Sequence, residues 1–201
     1  MGLLCLWSRQ KSRPTISAEM ETFWQAVSQA ELVFLQALDF MRCDWMDVVM
    51  LGITRLGDGG IIWIVFTLCM LFSKRYRRYG LMSAAALLLG LLIVNGMIKP
   101  LAARSRPFAV DPSVVLLLAP PGDHSFPSAH TVSSFAAACC IFFGNRKMGT
   151  AALVLAGLVA FSRMYLMVHF PTDVLAGVLL GILFAWTARW LVEKIPVLQR
   201  K

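Results

Sequence analysis

The feature that most constrains this chain is the stretch from Gly80 to Ile98, which carries no charged side chain. As an α-helix it would extend about 28 Å, close to the ~30 Å hydrocarbon core of a bilayer. Inside lipid the backbone polar groups must bond within the segment, so a chain built around such a run folds as a helical membrane bundle. Other apolar runs follow the same logic: Ile61–Phe72, Ser128–Gly144, Met148–Val168 and Asp173–Val192, with a first crossing expected within residues 27–57. Hydrophobic residues make up 58% of the chain and charged ones 15%, well away from average soluble usage.

The expected fold is therefore all-α, a polytopic membrane helical bundle of about six transmembrane helices. An amphipathic helix precedes it from Ser17 to about Met41, where Phe23, Val27, Leu32, Leu35 and Leu38 recur at helical spacing among Glu21, Gln25 and Glu31. Residues 1–17, with Arg9, Lys11 and Arg13, read as a cytoplasmic tail, and residues 18–201 as one membrane-embedded domain with a motif core at 99–173. The N-terminus places its apolar patch before its basic residues, the reverse of a secretory signal. The five cysteines show no zinc-site spacing and read as packing residues.

The net charge of +8 is distributed in clusters between apolar runs, without a basic stripe, so nucleic acid is not an expected partner. Topology explains the charge: Lys74, Arg75, Arg77 and Arg78, then Arg146 and Lys147, then Lys194, Arg200 and Lys201 fall on one side of the span map. The positive-inside rule makes that side cytoplasmic, with both termini. Lys99, Arg106, His130, Arg163, His169 and Asp173 then arrive at the opposite, extracytoplasmic end. Charged groups at a bilayer margin point by default to a site.

Lys99, Arg106 and Arg163 suit a phosphate group, the guanidinium forks matching its oxygens and the lysine adding a point charge. For any one of them a plain loop-boundary cation is the competing reading, weakened here because they lie on the less basic face. Pro127-Ser128 reads as a helix start whose free N–H groups, with small Ala129 beside them, would face an anion; an ordinary capped helix is the alternative. Asp173 lies one helical turn beyond His169 and can hold Nδ1–H, leaving Nε2 unprotonated and nucleophilic; a structural histidine is the other reading. Asp111 and Asp123, in the loop after Arg106, are not grouped as a divalent-metal site requires, so no metal and no cofactor are expected. His124 reads as a loop residue.

Three clusters, Lys99 to Arg106-Pro107, Pro127-Ser128-Ala129-His130, and Ser162-Arg163 through His169 to Asp173, resemble the signature motifs of the type 2 phosphatidic acid phosphatase family, which shares its site with vanadium haloperoxidases. The resemblance covers about residues 48–192; the family often has Gly where this chain has Ala129. It implies that Lys99, Arg106, Arg163 and Ser128 bind phosphoryl oxygens, with Ala129 allowing close approach. It further implies that His169 attacks phosphorus, Asp173 orients it, and His130 acts as acid and then base. The implied activity is metal-independent hydrolysis of a lipid phosphate or diphosphate in the plasma membrane. With the extracytoplasmic placement, the resemblance favours a polyprenyl diphosphate such as undecaprenyl diphosphate, a carrier that members of the family recycle there. Phosphatidate, phosphatidylglycerol phosphate and diacylglycerol pyrophosphate are the alternatives, followed by a lipid-phosphate transporter, which would not need the histidine set, and a haloperoxidase, against which the apolar segments argue.

Overall fold

A computed structural model describes residues 16–195, and within them the fold is all-α. Helix α1 (Ile16–Phe40) is followed by α2 (Asp44–Gly57), a single 3₁₀ turn at Asp58–Gly60, and α3 (Ile61–Phe72). Helix α4 (Arg77–Leu89) continues through a π-helical segment, Gly90–Ile98, into the short α5 (Lys99–Ala102). A loop carrying α6 (Pro107–Val110) leads to α7 (Ala129–Gly144), α8 (Arg146–Tyr165) and α9 (Pro171–Glu193).

Helix α7 forms the centre, because its small residues let neighbouring backbones approach. Ala136, Ala137 and Ala138 are fully buried. A Cβ added at Gly181 of α9 would lie 2.7 Å from the Val132 carbonyl oxygen, and one at Gly149 of α8 would lie 2.1 Å from Phe142 Cα. Lipid supplies no hydrophobic drive between helices, so close packing of small residues and interhelical hydrogen bonds must hold them. Trp63 Nε1–H donates to Ser134 Oγ at 2.9 Å, and the hydroxyls of Thr67 and Ser83 pair at 2.6 Å, both buried. Leu91, Leu92, Leu175, Leu179, Leu183, Trp186 and Trp190 point outward, as side chains facing lipid do.

The two ends of the bundle differ in chemistry. Asn145 Nδ2 donates to the Tyr76 hydroxyl at 3.4 Å and Arg78 pairs with Glu193 at 3.3 Å, so the basic turns at 74–78 and 146–147 share one end. Lys99, Ser128, Arg163, His169 and Asp173 occupy the other.

The span count differs from the expected six. Among the described residues, four helical stretches, Asp44–Phe72, Arg77–Val110, Arg146–Tyr165 and Pro171–Glu193, are long and apolar enough to cross a bilayer, and Ala129–Gly144 is a shorter apolar helix. The separate crossings expected within residues 27–57 and at Ile61–Phe72 are one stretch. Tyr165 bonds Asp47 and Arg163 bonds Thr54, which places α2 beside the site end of α8; α3 continues toward the basic end, where a Cβ on Gly80 would meet Leu71. Gly59 and Gly60, with φ of 59° and 69°, make the bend between them. Helix α1 is one-sided: Ser28, Leu32 and Leu35 are buried against the site end, where Leu32 and Leu35 pack with Met167 and Phe170. The cytoplasmic tail expected at 1–17 falls almost wholly outside the described residues.

Replacing Gly149 by Ala puts a methyl group into the Phe142 backbone and should destabilise the detergent-solubilised protein by about 1–3 kcal/mol. Gly157→Ala, with nothing within 4 Å of the added Cβ, should leave the unfolding midpoint unchanged or slightly raised. A Gly149→Ala protein as stable as the parent would contradict this packing.

Candidate active site

The π-helical segment sets the position of the first cation. Lys99 N–H bonds back five residues to the Val94 carbonyl, and α5 ends at Ala103 in the left-handed region (φ 45°). That turn releases the chain into the loop bearing Arg104 and Arg106. A cavity of about 940 Å³ opens there, with Lys99, Arg106, Arg163, His130 and His169 at its polar end. Ile64, Leu87, Leu88 and Leu91 form an apolar wall, and Ile64, Leu88 and Leu91 are also exposed on the outer surface of the bundle. The cavity thus joins a cluster of cations to the lipid-facing side of α3 and α4.

His169 lies in the connection between α8 and α9, with 1% of its surface exposed. Its Nδ1 is 3.5 Å from Asp173 Oδ2 and 3.5 Å from Ser125 Oγ, while Ser125 donates to Asp173 Oδ2 at 2.5 Å. On the other side of the ring, Arg106 Nη1 is 3.2 Å from Nε2. A guanidinium can only donate, so this contact selects the tautomer whose Nε2 carries a lone pair. Burial pushes the imidazole pKa down to about 3; Asp173 opposes the shift and Arg106 adds to it. The ring is neutral near pH 7.

Arg106 also donates to the Val168 carbonyl at 2.7 Å and to the Asp123 carbonyl and carboxylate at 2.9 and 2.6 Å. Lys99 pairs with the same carboxylate. Burial favours the neutral form of Asp123, but Lys99 and Arg106 hold its pKa down to about 2. Arg163, 3% exposed, donates to Thr54 Oγ1 at 2.5 Å, and among the described residues its buried Nε has no partner.

Ser128 caps α7, its Oγ accepting from Thr131 N–H at 3.4 Å and from the Thr131 hydroxyl at 3.0 Å, while its own N–H donates to the Asp173 carbonyl at 3.1 Å. The hydroxyl oxygen thus accepts both capping bonds, whereas Ala129 and His130 line the cavity. His130 Nε2 is 3.0 Å from Asp58 Oδ1. Lys99, Arg106, Ala129, His130, Arg163 and His169 meet around one space; Ser128 and Asp173 stand behind it. His124 lines a separate small hollow beside Arg104. Among the described residues, no three His, Cys, Asp or Glu side chains cluster as metal ligands.

Four participants escaped the sequence reading. Asp123 was only a loop carboxylate, yet it sits on two of the cations. Asp58 stands in the glycine-rich stretch Gly57-Asp58-Gly59-Gly60, far in sequence from the histidine it meets. Ser125 had no distinguishing neighbour. Arg104 is fully buried, donating to Asp173 at 2.6 Å, Thr172 at 2.7 Å, Glu31 at 2.5 Å and Ser28 at 3.1 Å, and stacking against Phe170 at 4.1 Å. The one available signal was its charge, two positions before Arg106 in an apolar chain.

Residues 79–196 match the PAP2 superfamily. The chain is 38% identical over 108 residues to the bacitracin transport permease protein BcrC of Bacillus licheniformis, covering 54% of this chain and 53% of that protein. It is 33% identical over 121 residues to an undecaprenyl-diphosphatase of Sulfolobus acidocaldarius, covering 60% and 58%. The chain thus spans little more than half the length of these two relatives. A crystal structure of a transmembrane PAP2-type phosphatidylglycerolphosphate phosphatase from Bacillus subtilis superposes with a TM-score of 0.69 at 28% identity, covering 88% of this chain and 96% of that one. Glu31, Thr54 and Asp58 precede the family-matching stretch, while Arg104 and Asp173 lie within it.

Removing the buried Arg104 would strand two carboxylates, Asp173 and Glu31, without a cation. Arg104→Ala should cost about 3–5 kcal/mol of stability, read as a lowered unfolding midpoint in detergent. Glu31→Gln should cost less, since the amide oxygen still accepts. An Arg104→Ala protein of parental stability would show that the pair contributes nothing.

Proposed function

The chain belongs to the PAP2 superfamily, and on that premise we propose that it is a membrane lipid phosphatase hydrolysing a lipid phosphate or diphosphate through a phosphohistidine on His169. The observation that carries this reading is the cavity: one space brings three buried cations and two histidines to the end of an apolar wall open to lipid. A lipid headgroup would lie among Lys99, Arg106 and Arg163 with its chain along Ile64, Leu88 and Leu91. The Nε of Arg163, which has no partner among the described residues, is a donor available to a phosphoryl oxygen. Asp123 must give up Lys99 and Arg106 as phosphate arrives, since one carboxylate and one phosphate cannot share the same donors without repulsion.

In the proposed chemistry, Nε2 of His169 forms a bond to phosphorus as the bond to the leaving oxygen breaks. His130 delivers a proton to that oxygen. A water molecule then attacks phosphorus, giving its proton to His130 as the N–P bond breaks and phosphate leaves. The cations hold the equatorial oxygens, where charge is spread in the transition state.

A polyprenyl diphosphate such as undecaprenyl diphosphate is the favoured substrate, supported by the undecaprenyl-diphosphatase relative and by a site at the end opposite the basic turns, which the positive-inside rule places outside the cytoplasm. Phosphatidylglycerol phosphate is the second reading, supported by the resemblance to the Bacillus subtilis phosphatase structure. A transporter is the third, in view of the permease relative; the paired His169 and Asp173 favour hydrolysis, because binding alone needs neither.

Phosphate release by the purified protein from undecaprenyl diphosphate, phosphatidylglycerol phosphate, phosphatidate and diacylglycerol pyrophosphate tests the assignment. The diphosphate should be turned over fastest, His169→Ala should lose at least about 10³-fold, and Asp173→Asn should lose less. Binding of all four lipids without release would overturn hydrolysis. Substantial turnover by His169→Ala would remove it as nucleophile.

A further inference from the structure

The turn Gly57-Asp58-Gly59-Gly60 lies before the family-matching stretch, yet it wraps the imidazole of His130. A Cβ on Gly57 would sit 2.9 Å from His130 Cδ2, so only glycine leaves room for the ring there. Gly59 and Gly60 hold φ of 59° and 69°, a conformation that L side chains resist, and this bend sets Asp58 against the ring edge. Asp58 Oδ1 is 3.0 Å from Nε2, and among the described residues Nδ1 has no hydrogen-bond partner.

We propose that Asp58 is the positioning residue of His130: its carboxylate accepts Nε2–H, which leaves Nδ1 as the nitrogen that exchanges a proton with the reacting oxygen. The inference rests on His130 serving as acid and base. The arrangement mirrors the one at His169, where Asp173 lies at Nδ1 and Nε2 is left to react. It also answers an electrostatic difficulty. Lys99, Arg106, Arg163 and Arg55 all line the cavity that His130 faces, and Asp123, the other carboxylate there, is engaged by Lys99 and Arg106. An imidazolium among these cations is disfavoured unless a carboxylate is paired with it. Asp58 does not take the proton. It stabilises the charged ring before the ring donates to the leaving oxygen and again once the ring has taken a proton from water, as a buried aspartate does for a hydrolase histidine.

Asp58 is more than half exposed, so Asp58→Asn should fold. Its turnover of a lipid monophosphate, whose leaving oxygen needs a proton most, should fall by about 10- to 100-fold with KM little changed. The alkaline limb of its pH profile should move to lower pH, and Asp58→Glu should recover part of both effects. In wild-type protein labelled with ¹⁵N-histidine, His130 should titrate as the Nε2–H tautomer. Parental turnover and pH profile in Asp58→Asn, with His130→Ala inactive, would overturn the role of Asp58 alone. Full activity of His130→Ala would overturn both readings, and an Nδ1–H tautomer at His130 would overturn the positioning.

Discussion

A single buried carboxylate holds the site end of this bundle together. Asp173 accepts hydrogen bonds from Arg104, from the Ser125 hydroxyl and from the Phe170 N–H that opens α9, while its own carbonyl takes the Ser128 N–H at the start of α7. Through Arg104 it reaches Glu31, which also accepts from Thr172 N–H and its hydroxyl, so α1 is fastened to the same point. Four segments that meet nowhere else in sequence are thereby fixed around His169. Asp173 is fully buried, so its charge must be met by the protein's own donors and each of these partners is needed.

The rest of the site inverts that balance. Lys99, Arg106 and Arg163 are almost completely buried, and among the described residues only the Asp123 carboxylate pairs with the first two. Cations held close together in a medium of low dielectric raise one another's energy, and an anion entering among them would relieve it. On the proposed reading, that is how the fold prepares a place for the substrate's phosphate. The cluster sits at the end of the π-helical segment, an uncommon geometry that changes where the side chain of Lys99 points relative to a regular helix.

Much of this was legible in the sequence, and unevenly so. The run from Gly80 to Ile98 announces a membrane helix, and Lys99, Arg106, His130, Arg163, His169 and Asp173 stand out because charge is scarce in such a chain. The membrane crossings near the N-terminus were read differently because Gly57-Asp58-Gly59-Gly60 looks like a connection between two crossings, whereas it bends one stretch. Helix α1 keeps Glu21, Gln25 and Glu31 among its apolar positions, which marked it as amphipathic rather than spanning. The partners of the prominent residues were hidden because they lie far off in the chain: Glu31 from Thr172, Asp58 from His130, Thr54 from Arg163. Helical periodicity reports which face of a helix is apolar; it carries no information on which distant turn will close against that face. Arg104 was visible as a charge but indistinguishable from Arg106 until the fold turned one toward the cavity and the other into Asp173.

The central claim is that phosphate passes through His169 rather than directly to water, and stereochemistry at phosphorus tests it most directly. A lipid substrate whose terminal group is a thiophosphoryl made chiral with ¹⁶O and ¹⁸O would be hydrolysed in ¹⁷O-labelled water and the configuration of the released thiophosphate determined. Each in-line displacement inverts phosphorus, so attack by Nε2 of His169 followed by attack of water predicts net retention. Net inversion would mean a single displacement by water and would contradict the phosphohistidine account.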